Sequence, residues 1–320
     1  MAKVLVTGGA GFIGYYVSKL LADRGNDVFI ADNFFRGKND KAFAELIERK
    51  NVTFIECDLA EQSSYAKLGL NYDFVYHLAA INGTKYFYEI PEKILKTNVL
   101  SSVYILEWFI KSGSKKIAFA SSSEAYAGTA NQFGVDYPTP ETVPLCIEDV
   151  FNPRWSYGGS KLAGELFFVN YAKAYDFPMV VLRYTNVYGP RMGNEHVVPE
   201  FATRLINKEA PFKIFGGEET RTFFYVEDAA EASVAALENA SLTRDVVNIG
   251  AEGPEIKMTD LAKMMFEISG HNPEFAIQPA PEGCVKRRRA NVEKMKKFYQ
   301  PKVPLADGLK KTYDWYATNR

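Results

Sequence analysis

The chain is poor in cysteine and histidine, and neither residue type is clustered. Its 320 residues include only Cys57, Cys146 and Cys284 and three histidines, with no Cys-x-x-Cys pair and no ligand-like histidine spacing. An odd number of widely separated thiols argues against a disulfide framework, and the scattered histidines argue against a zinc site. We therefore expect reduced thiols, a cytoplasmic location and no bound metal.

An excess of charge of one sign and long apolar runs are also missing. The 38 basic and 39 acidic residues leave a formal net charge of −1, so no global field attracts nucleic acid or an anionic membrane. No apolar run approaches transmembrane length, and Met1-Ala2-Lys3 leads directly into a strand-like run without space for a signal peptide. We expect neither nucleic acid nor membrane as a partner.

What the chain does contain is a glycine-rich turn close to its start. Lys3 to Thr7 reads as a buried strand, the run Thr-Gly-Gly-Ala-Gly-Phe-Ile-Gly follows at residues 7–14, and residues 15–22 have helical apolar periodicity. Backbone N–H groups and the helix dipole at such a turn attract a pyrophosphate, and glycines let the phosphates approach. The turn predicts a dinucleotide site contacted by Gly8, Gly11, Phe12, Ile13 and Gly14.

An acidic residue follows the turn at the distance expected for a ribose contact. The second strand, residues 27–31, ends at Asp32. A carboxylate there accepts hydrogen bonds from a 2′-hydroxyl and repels a 2′-phosphate, which favours NAD over NADP. Arg36 is close enough to keep NADP as an alternative.

Strands and helices alternate along the first 185 residues. Further strands are predicted at residues 52–57, 74–80, 116–120 and 179–183, and long helices at 91–111 and 156–175. This alternation predicts an α/β fold of the Rossmann type, a doubly wound parallel sheet covered on both faces. We assign residues 1–185 to this domain, with returning segments near 225–250, and residues 186–320 mainly to a smaller C-terminal substrate-binding lobe.

A tyrosine and a lysine lie one helical turn apart in the helix predicted at residues 156–175. Tyr157 and Lys161 share one helix face, and an ammonium group beside a phenol favours the phenolate. Ser122, at the end of the fifth strand, supplies a hydroxyl to hold a substrate oxygen. Together with a dinucleotide site, these residues predict hydride transfer at a carbinol carbon.

In these motifs the chain resembles the extended short-chain dehydrogenase/reductase family of nucleotide-sugar epimerases and dehydratases over nearly its whole length. The resemblance implies tightly held NAD and a nucleoside-diphosphate sugar oxidised at C4. It also implies catalytic roles for Ser122, Tyr157 and Lys161. The remaining cofactor contacts that we assign are Asn33, Asp58, Leu59, Leu78, Ala79, Ala80 and Asn98.

The same resemblance predicts the substrate contacts. Asn186 precedes Val-Tyr-Gly-Pro-Arg, and Arg221 matches the family's diphosphate-binding arginine. Arg288 matches a second family arginine, although Ala290-Asn291 replaces the usual Pro-Asp after it. We add Ser123 and Arg191 to this set, the latter as a cation that could meet a uronate carboxylate.

Glu124 bears on the choice among the family's reactions. Dehydratases of the family typically carry Asp-Glu after their threonine, decarboxylases carry Thr-Ser-Glu, and ordinary 4-epimerases have a small neutral residue at the position of Glu124. This chain has Ser122-Ser123-Glu124. The missing Asp disfavours dehydration, and no further cation is evident from the sequence to hold a uronate carboxylate. The sequence therefore favours a 4-epimerase, with a uronate decarboxylase or a dehydratase that uses Glu124 as the alternatives.

Two hypotheses from other classes are a non-catalytic NAD-binding module and an RNA-associated relative. The intact Ser122, Tyr157 and Lys161 disfavour the first, and the balanced charge disfavours the second.

Apolar residues beyond one face of the two long helices predict a homodimer. They are Val99, Val103, Tyr104, Leu106, Phe109, Leu162, Leu166, Phe167, Val169 and Tyr171.

Overall fold

The computed structural model describes residues 1–280 and 284–319, and its largest element is a parallel β-sheet. In chain order, the strands are β1 (Lys3–Thr7), β2 (Asp27–Asp32), β3 (Val52–Glu56), β4 (Phe74–His77), β5 (Lys116–Ser122), β6 (Met179–Tyr184), β7 (Val187–Tyr188), β8 (Phe212–Phe215), β9 (Thr220–Arg221), β10 (Phe224–Tyr225), β11 (Arg244–Ile249), β12 (Ile256–Lys257), β13 (Phe275–Gln278) and β14 (Arg287–Arg288). Seven of them form the main sheet in the order β11-β6-β5-β4-β1-β2-β3, and all neighbours in it are parallel.

Helices cover both faces of this sheet. The α-helices are α1 (Phe12–Asp23), α2 (Lys41–Ile47), α3 (Thr84–Glu89), α4 (Pro91–Phe109), α5 (Ala127–Gln132), α6 (Trp155–Ala174), α7 (Val197–Ile206), α8 (Val226–Glu238), α9 (Met258–Ser269), α10 (Glu293–Lys296) and α11 (Leu305–Thr318). Alternate residues of β1 point to opposite faces: Val4 and Val6 pack with α1 and α8, whereas Leu5 packs with α4 and α6. Burial on both faces explains why β1 and β6 read as continuous apolar runs.

The order of the strands determines where a ligand binds. The chain runs from β1 outwards to β3 and then crosses back to β4 on the other side of β1. The helices that follow β1 and β4, α1 and α4, therefore pack on opposite faces of the sheet and leave a crevice at its carboxyl edge. The α/β Rossmann-type fold predicted from the alternation is confirmed, and β11 joins the edge of the main sheet from late in the chain.

A smaller lobe lies next to the carboxyl edge of the main sheet and has its own apolar core. Helices α7, α9 and α11 and strand β8 build this core around Phe201, Phe212 and Phe266. A separate three-stranded sheet, β12-β9-β14, pairs Arg221 of β9 with Arg288 of β14. This pairing places the two arginines of the predicted substrate site side by side.

The predicted elements match the structure apart from their ends. The fourth strand was expected to continue to Ala80 but ends at His77, because residues 78–80 turn towards the glycine-rich loop. The helix predicted at 91–111 ends at Phe109, and the one predicted at 156–175 occupies 155–174. No helix among the described residues has both the length and the apolar character needed to cross a membrane.

Candidate active site

The glycine-rich loop and the loop after β4 form the floor of a cleft with a volume of about 610 Å³. Gly8 has φ +71°, and a Cβ added there would lie 2.7 Å from the backbone of Ala79. A Cβ on Gly14 would lie 2.1 Å from the carbonyl oxygen of Gly8. Only glycine permits this close approach, which leaves the start of α1 open to an anion. The cradle therefore fits the pyrophosphate of a dinucleotide.

Asp32 closes β2 and faces the same cleft. Its carboxylate accepts hydrogen bonds from the backbone N–H groups of Ala10 (3.0 Å) and Phe34 (2.8 Å). Burial raises the pKa of this carboxyl, and the backbone donors oppose that rise. Arg36, the basis of the NADP alternative, is engaged by Glu195 through two bonds of 3.1 and 3.2 Å. This arrangement suits a ribose with a free 2′-hydroxyl.

Most of the other predicted cofactor residues also line the cleft. Asn98 does not: its side chain lies behind the wall, bonds to the backbone N–H (2.8 Å) and carbonyl (3.1 Å) of Ile81, and reaches Ser160. Asn98 thus positions the loop after β4 instead of facing the cleft. The residues that do line it are Gly8, Gly11, Phe12, Ile13, Gly14, Asp32, Asn33, Asp58, Leu59, Leu78, Ala79 and Ala80. Their individual contacts with a cofactor stay predictions.

Ser122, Tyr157 and Lys161 meet at the other end of the cleft. The Lys161 ammonium donates to the carbonyl oxygen of Ala120 (2.7 Å), and burial lowers the pKa of Lys161 to about 7. The Tyr157 ring stacks on Phe87 with centroids 5.4 Å apart. Burial raises the pKa of Tyr157, the charge of Glu124 raises it further, and a hydrogen bond with Ser122 opposes the rise. The phenol is therefore protonated at neutral pH unless further positive charge arrives.

A buried ion pair fixes the position of α6 against the sheet. Glu165 accepts from the Arg183 guanidinium (2.8 and 2.7 Å) and from the Ser121 hydroxyl (2.6 Å). These bonds join α6 and β5, the two elements that carry Ser122, Tyr157 and Lys161, to the neighbouring strand β6. Glu165 and Arg183 were not predicted as site residues, because their contact spans 18 positions and no local motif indicates it.

Glu124 lies between two arginines. One carboxylate oxygen accepts from Arg288 (2.6 Å) and the other from Arg154 (3.3 Å). Burial alone would raise the pKa of Glu124, but the two guanidinium groups outweigh it and lower the pKa to about 2. Glu124 is therefore a permanent anion at neutral pH. Arg154 was not among the predicted site residues, although the stretch Pro153-Arg154-Trp155-Ser156-Tyr157 is similar to the approach to the tyrosine in decarboxylases of the family.

The predicted substrate residues separate into two groups. Ser123, Asn186, Arg191 and Arg288 line the cleft, whereas Arg221 does not and donates to the backbone carbonyls of Val285 and Lys286. Burial and the neighbouring Arg288 lower the pKa of Arg221 to about 10. Arg191 is bound by Asp40 (2.8 and 3.1 Å), so its charge is already paired. Arg288 is thus the predicted substrate arginine that faces both the cleft and the reaction centre.

Comparison with known proteins agrees with this geometry. Residues 4–250 match the NAD dependent epimerase/dehydratase family, and the chain belongs to that family. It is 32% identical to a UDP-N-acetyl-alpha-D-glucosaminuronate decarboxylase of Bacillus cytotoxicus, covering 98% of this chain and 97% of that one. The solved UDP-glucose 4-epimerase of Thermotoga maritima with UDP-glucose superposes with a TM-score of 0.86 at 33% identity, covering 99% of both chains.

A further solved relative carries the cofactor. The UDP-glucose 4-epimerase of Thermus thermophilus in complex with NAD is 29% identical, with a TM-score of 0.84 over 99% of this chain and all of that one. The protein is therefore an NAD-dependent enzyme of the nucleotide-sugar epimerase, dehydratase and decarboxylase group. The glycine cradle and Asp32 are the residues that would hold NAD, which accepts hydride from a carbinol carbon and returns it.

Substitution Asp32→Ala should weaken NAD binding by about tenfold and reduce the preference over NADP, because one hydrogen-bonded carboxylate and its repulsion of a 2′-phosphate are lost. Titration of the stripped protein with each dinucleotide measures both affinities. Asp27→Ala, at the opposite end of β2, is the matched control and should leave them unchanged. Tighter binding of NADP than NAD by the wild type would contradict the assignment.

Proposed function

We propose that the protein acts on a nucleoside-diphosphate sugar with a carboxylate at C6, oxidises C4, and releases the carboxylate as CO₂. The observation that carries this proposal is Arg288. Its side chain lines the cleft, Glu124 holds one of its terminal nitrogens, and its buried Nε has no hydrogen-bond partner among the described residues. A buried guanidinium donor of this kind is satisfied by a hydrogen-bond acceptor of the substrate, and a carboxylate is the acceptor that forms the strongest such bond.

The position of Arg288 relative to the reaction centre supports this interpretation. Glu124 follows Ser122 by two residues, and its backbone packs on α6 at Gly158, where an added Cβ would lie 2.8 Å from the Glu124 carbonyl oxygen. Gly158 is the neighbour of Tyr157. The Glu124–Arg288 pair therefore lies beside the groups that hold the O4 hydroxyl. A carboxylate at C6, two carbons from C4, falls within the same region of a bound hexose.

The chemistry follows from the position of the ketone. Oxidation at C4 turns a C6 carboxylic acid into a β-keto acid, whose C5–C6 bond breaks with its electron pair passing to the C4 oxygen. Tyr157 and Ser122 can hold that oxygen, as hydrogen-bond donors to the developing charge. Arg288 would orient the carboxylate before CO₂ leaves. A proton then enters at C5, and the C4 carbonyl is reduced with Tyr157 returning the proton to O4.

Glu124 acts in this scheme through its charge. With a pKa of about 2 it has no proton to donate at neutral pH, so it does not fit the acid that expulsion of O6 as water requires. Its two oxygens instead fix the orientations of Arg288 and Arg154. The absence of an Asp at Ser123 also disfavours dehydration.

The second candidate is the one favoured by the sequence, a 4-epimerase. Ser122, Tyr157 and Lys161 supply what removal and return of hydride at C4 require, and the similarity to UDP-glucose 4-epimerases extends over the whole chain. In that case the 4-ketosugar would rotate in the site, so that hydride returns to its other face. Arg288 would then bind the diphosphate instead of a carboxylate.

Mass spectrometry of the products distinguishes the candidates. The holoenzyme is incubated separately with UDP-glucuronate, UDP-N-acetylglucosaminuronate, UDP-glucose and UDP-N-acetylglucosamine. We expect loss of CO₂ from a uronate and no reaction with the neutral sugars. Epimerisation of a neutral sugar, detected by NMR as inversion at C4 without change of mass, would overturn the proposal in favour of the second candidate.

We also propose a homodimer formed by α4 and α6, which pack side by side on one face of the sheet. Leu106 and Phe109, included in the predicted apolar surface, are buried in the core and cannot contribute. Among the predicted positions Leu166 is 57% exposed, and Leu95 of α4, which was not among them, is 46% exposed. The other predicted positions, all partly exposed, are Val99, Val103, Tyr104, Leu162, Phe167, Val169 and Tyr171. Such an apolar strip on two adjacent helices fits an isologous contact.

Light scattering at micromolar concentration should give the mass of a dimer for the wild type and of a monomer for Leu166→Glu, since a charge would be buried unpaired at the two-fold contact. Phe215→Glu is the matched control, because Phe215 is 52% exposed but lies in the small lobe. A monomeric wild type would refute this interface.

A further inference from the structure

Two loops meet across the cofactor cleft, one from each side. The first, residues 33–40, joins β2 to α2 and is called here the cofactor loop. The second, residues 189–196, joins β7 to α7 and is called the lobe loop. Each contributes residues to the cleft lining, including Arg36 and Lys38 from the first and Arg191 and Glu195 from the second.

Two ion pairs of opposite polarity connect these loops. Arg36 of the cofactor loop binds Glu195 of the lobe loop through two bonds of 3.1 and 3.2 Å. Arg191 of the lobe loop binds Asp40 of the cofactor loop through two bonds of 2.8 and 3.1 Å. Each loop thus supplies one cation and one anion, and both contacts have the forked geometry that makes such pairs strong.

Neighbouring contacts shelter both pairs from water. Arg191 is buried, lies 4.0 Å from the centroid of the Tyr15 ring, and also donates to the Lys38 carbonyl (3.1 Å). Arg36 lies 4.6 Å from the centroid of the Tyr86 ring. The side chains of Arg36 and Glu195 are 23% and 19% exposed, so solvent screens their attraction less than at an open surface.

The Arg36 side chain also spans the cleft. It starts four residues after Asp32, the ribose-side end of β2, and its terminal nitrogen lies 3.4 Å from the position of a Cβ on Gly83, beyond the loop after β4. The same nitrogen reaches the lobe loop, where it lies 2.9 Å from the position of a Cβ on Gly193 and donates to Glu195 (3.2 Å). In the main sheet β1 lies between β2 and β4, so the glycine-rich loop after β1 lies between the loops that follow those two strands. Arg36 therefore bridges the rims on either side of the dinucleotide cradle.

We propose that the two ion pairs form a gate over the dinucleotide, and that its opening sets the rate at which NAD enters and leaves. The inference rests on NAD binding alone and is independent of which sugar the enzyme converts. Because the pairs join protein to protein, they stabilise the closed arrangement whether or not NAD is bound. Weakening them should therefore accelerate both entry and release, and should change the dissociation constant less than either rate.

The test uses Glu195→Gln, Asp40→Asn and the double variant, which keep the size of each side chain. Asparagine also retains the helix-capping contact that Asp40 makes with the Phe43 N–H (3.0 Å). Release is measured from holoenzyme carrying radiolabelled NAD by chase with excess unlabelled NAD, and entry by stopped-flow fluorescence with NAD-stripped protein. We expect each single change to raise both rates by about tenfold, which corresponds to about 1.4 kcal/mol.

Two further variants test whether the effect is specific to these two ion pairs. Glu209→Gln removes a forked Arg204–Glu209 pair of the same lobe outside the cleft and should leave both rates at the wild-type value. The charge-exchanged Arg36→Glu/Glu195→Arg should restore slow exchange. Release from the wild type should also quicken with added salt, and this dependence should shrink in the double variant.

Two outcomes would overturn the gate. Unchanged release in the double variant, with thermal unfolding showing an intact fold, would mean that the loops do not limit exchange. Faster release without faster entry would mean that these side chains hold NAD directly instead of gating it.

Discussion

Substitution Tyr157→Phe is expected to lower turnover by about two orders of magnitude or more, equivalent to about 2.7 kcal/mol in the activation barrier. In the proposed reaction the phenol oxygen takes the proton from O4 as hydride leaves C4, and phenylalanine lacks only that oxygen. Stacking on Phe87 is retained, so NAD should still bind. Initial rates and NAD content of the purified variant measure the two effects separately.

The pKa of Tyr157 adds a pH dependence to this prediction. Because burial raises that pKa, the fraction of phenolate increases with pH through the neutral range, and C4 oxidation by the wild type should quicken accordingly. The residual activity of Tyr157→Phe should lack this rise. Tyr72→Phe is the matched control, since Tyr72 is equally buried in the same domain but lies outside the cleft. Wild-type turnover in Tyr157→Phe would exclude Tyr157 as the proton carrier.

Substitution Arg288→Lys is expected to slow the release of CO₂ by about a hundredfold, because an ammonium group cannot bind Glu124 and a substrate carboxylate with the fixed fork of a guanidinium. In the proposed decarboxylation, oxidation at C4 precedes this step and depends on Tyr157. The oxidised sugar and reduced cofactor should therefore accumulate, with absorbance at about 340 nm. Glu124→Gln should act in the same direction, since it removes the charge that holds Arg288 and weakens the contact with Arg154.

Arg287→Lys is the control for that prediction. Arg287 is adjacent in sequence but binds Glu255, is 47% exposed, and does not line the cleft. Its variant should release CO₂ at the wild-type rate. Unaltered CO₂ release in Arg288→Lys would remove Arg288 as the carboxylate anchor. If the enzyme is instead a 4-epimerase, Glu124→Gln should keep most of the turnover and accumulate no reduced cofactor.

The predicted features that the structure brings together in one cleft are those carried by short stretches of chain. The glycine-rich turn, Asp32 and the Tyr157–Lys161 pair each depend on spacing within one strand, turn or helix, and backbone geometry converts that spacing directly into position. Alternating strands and helices have few ways to form a sheet, so the Rossmann-type architecture also followed from local pattern.

Contacts between distant segments were decided only by the tertiary structure. Arg288 meets Glu124 across 164 positions, and Arg36 meets Glu195 across 159. A charged side chain carries no signal of its partner, since a paired guanidinium and a solvated one look alike in sequence. The 4-epimerase hypothesis relied partly on the lack of a clearly assigned cation for a uronate carboxylate; the fold brings Arg288 to the cleft beside Glu124, where we propose that it takes this role. Arg191, predicted at the substrate, lines the cleft, and its pairing with Asp40 of the cofactor loop is a contact that only folding decides.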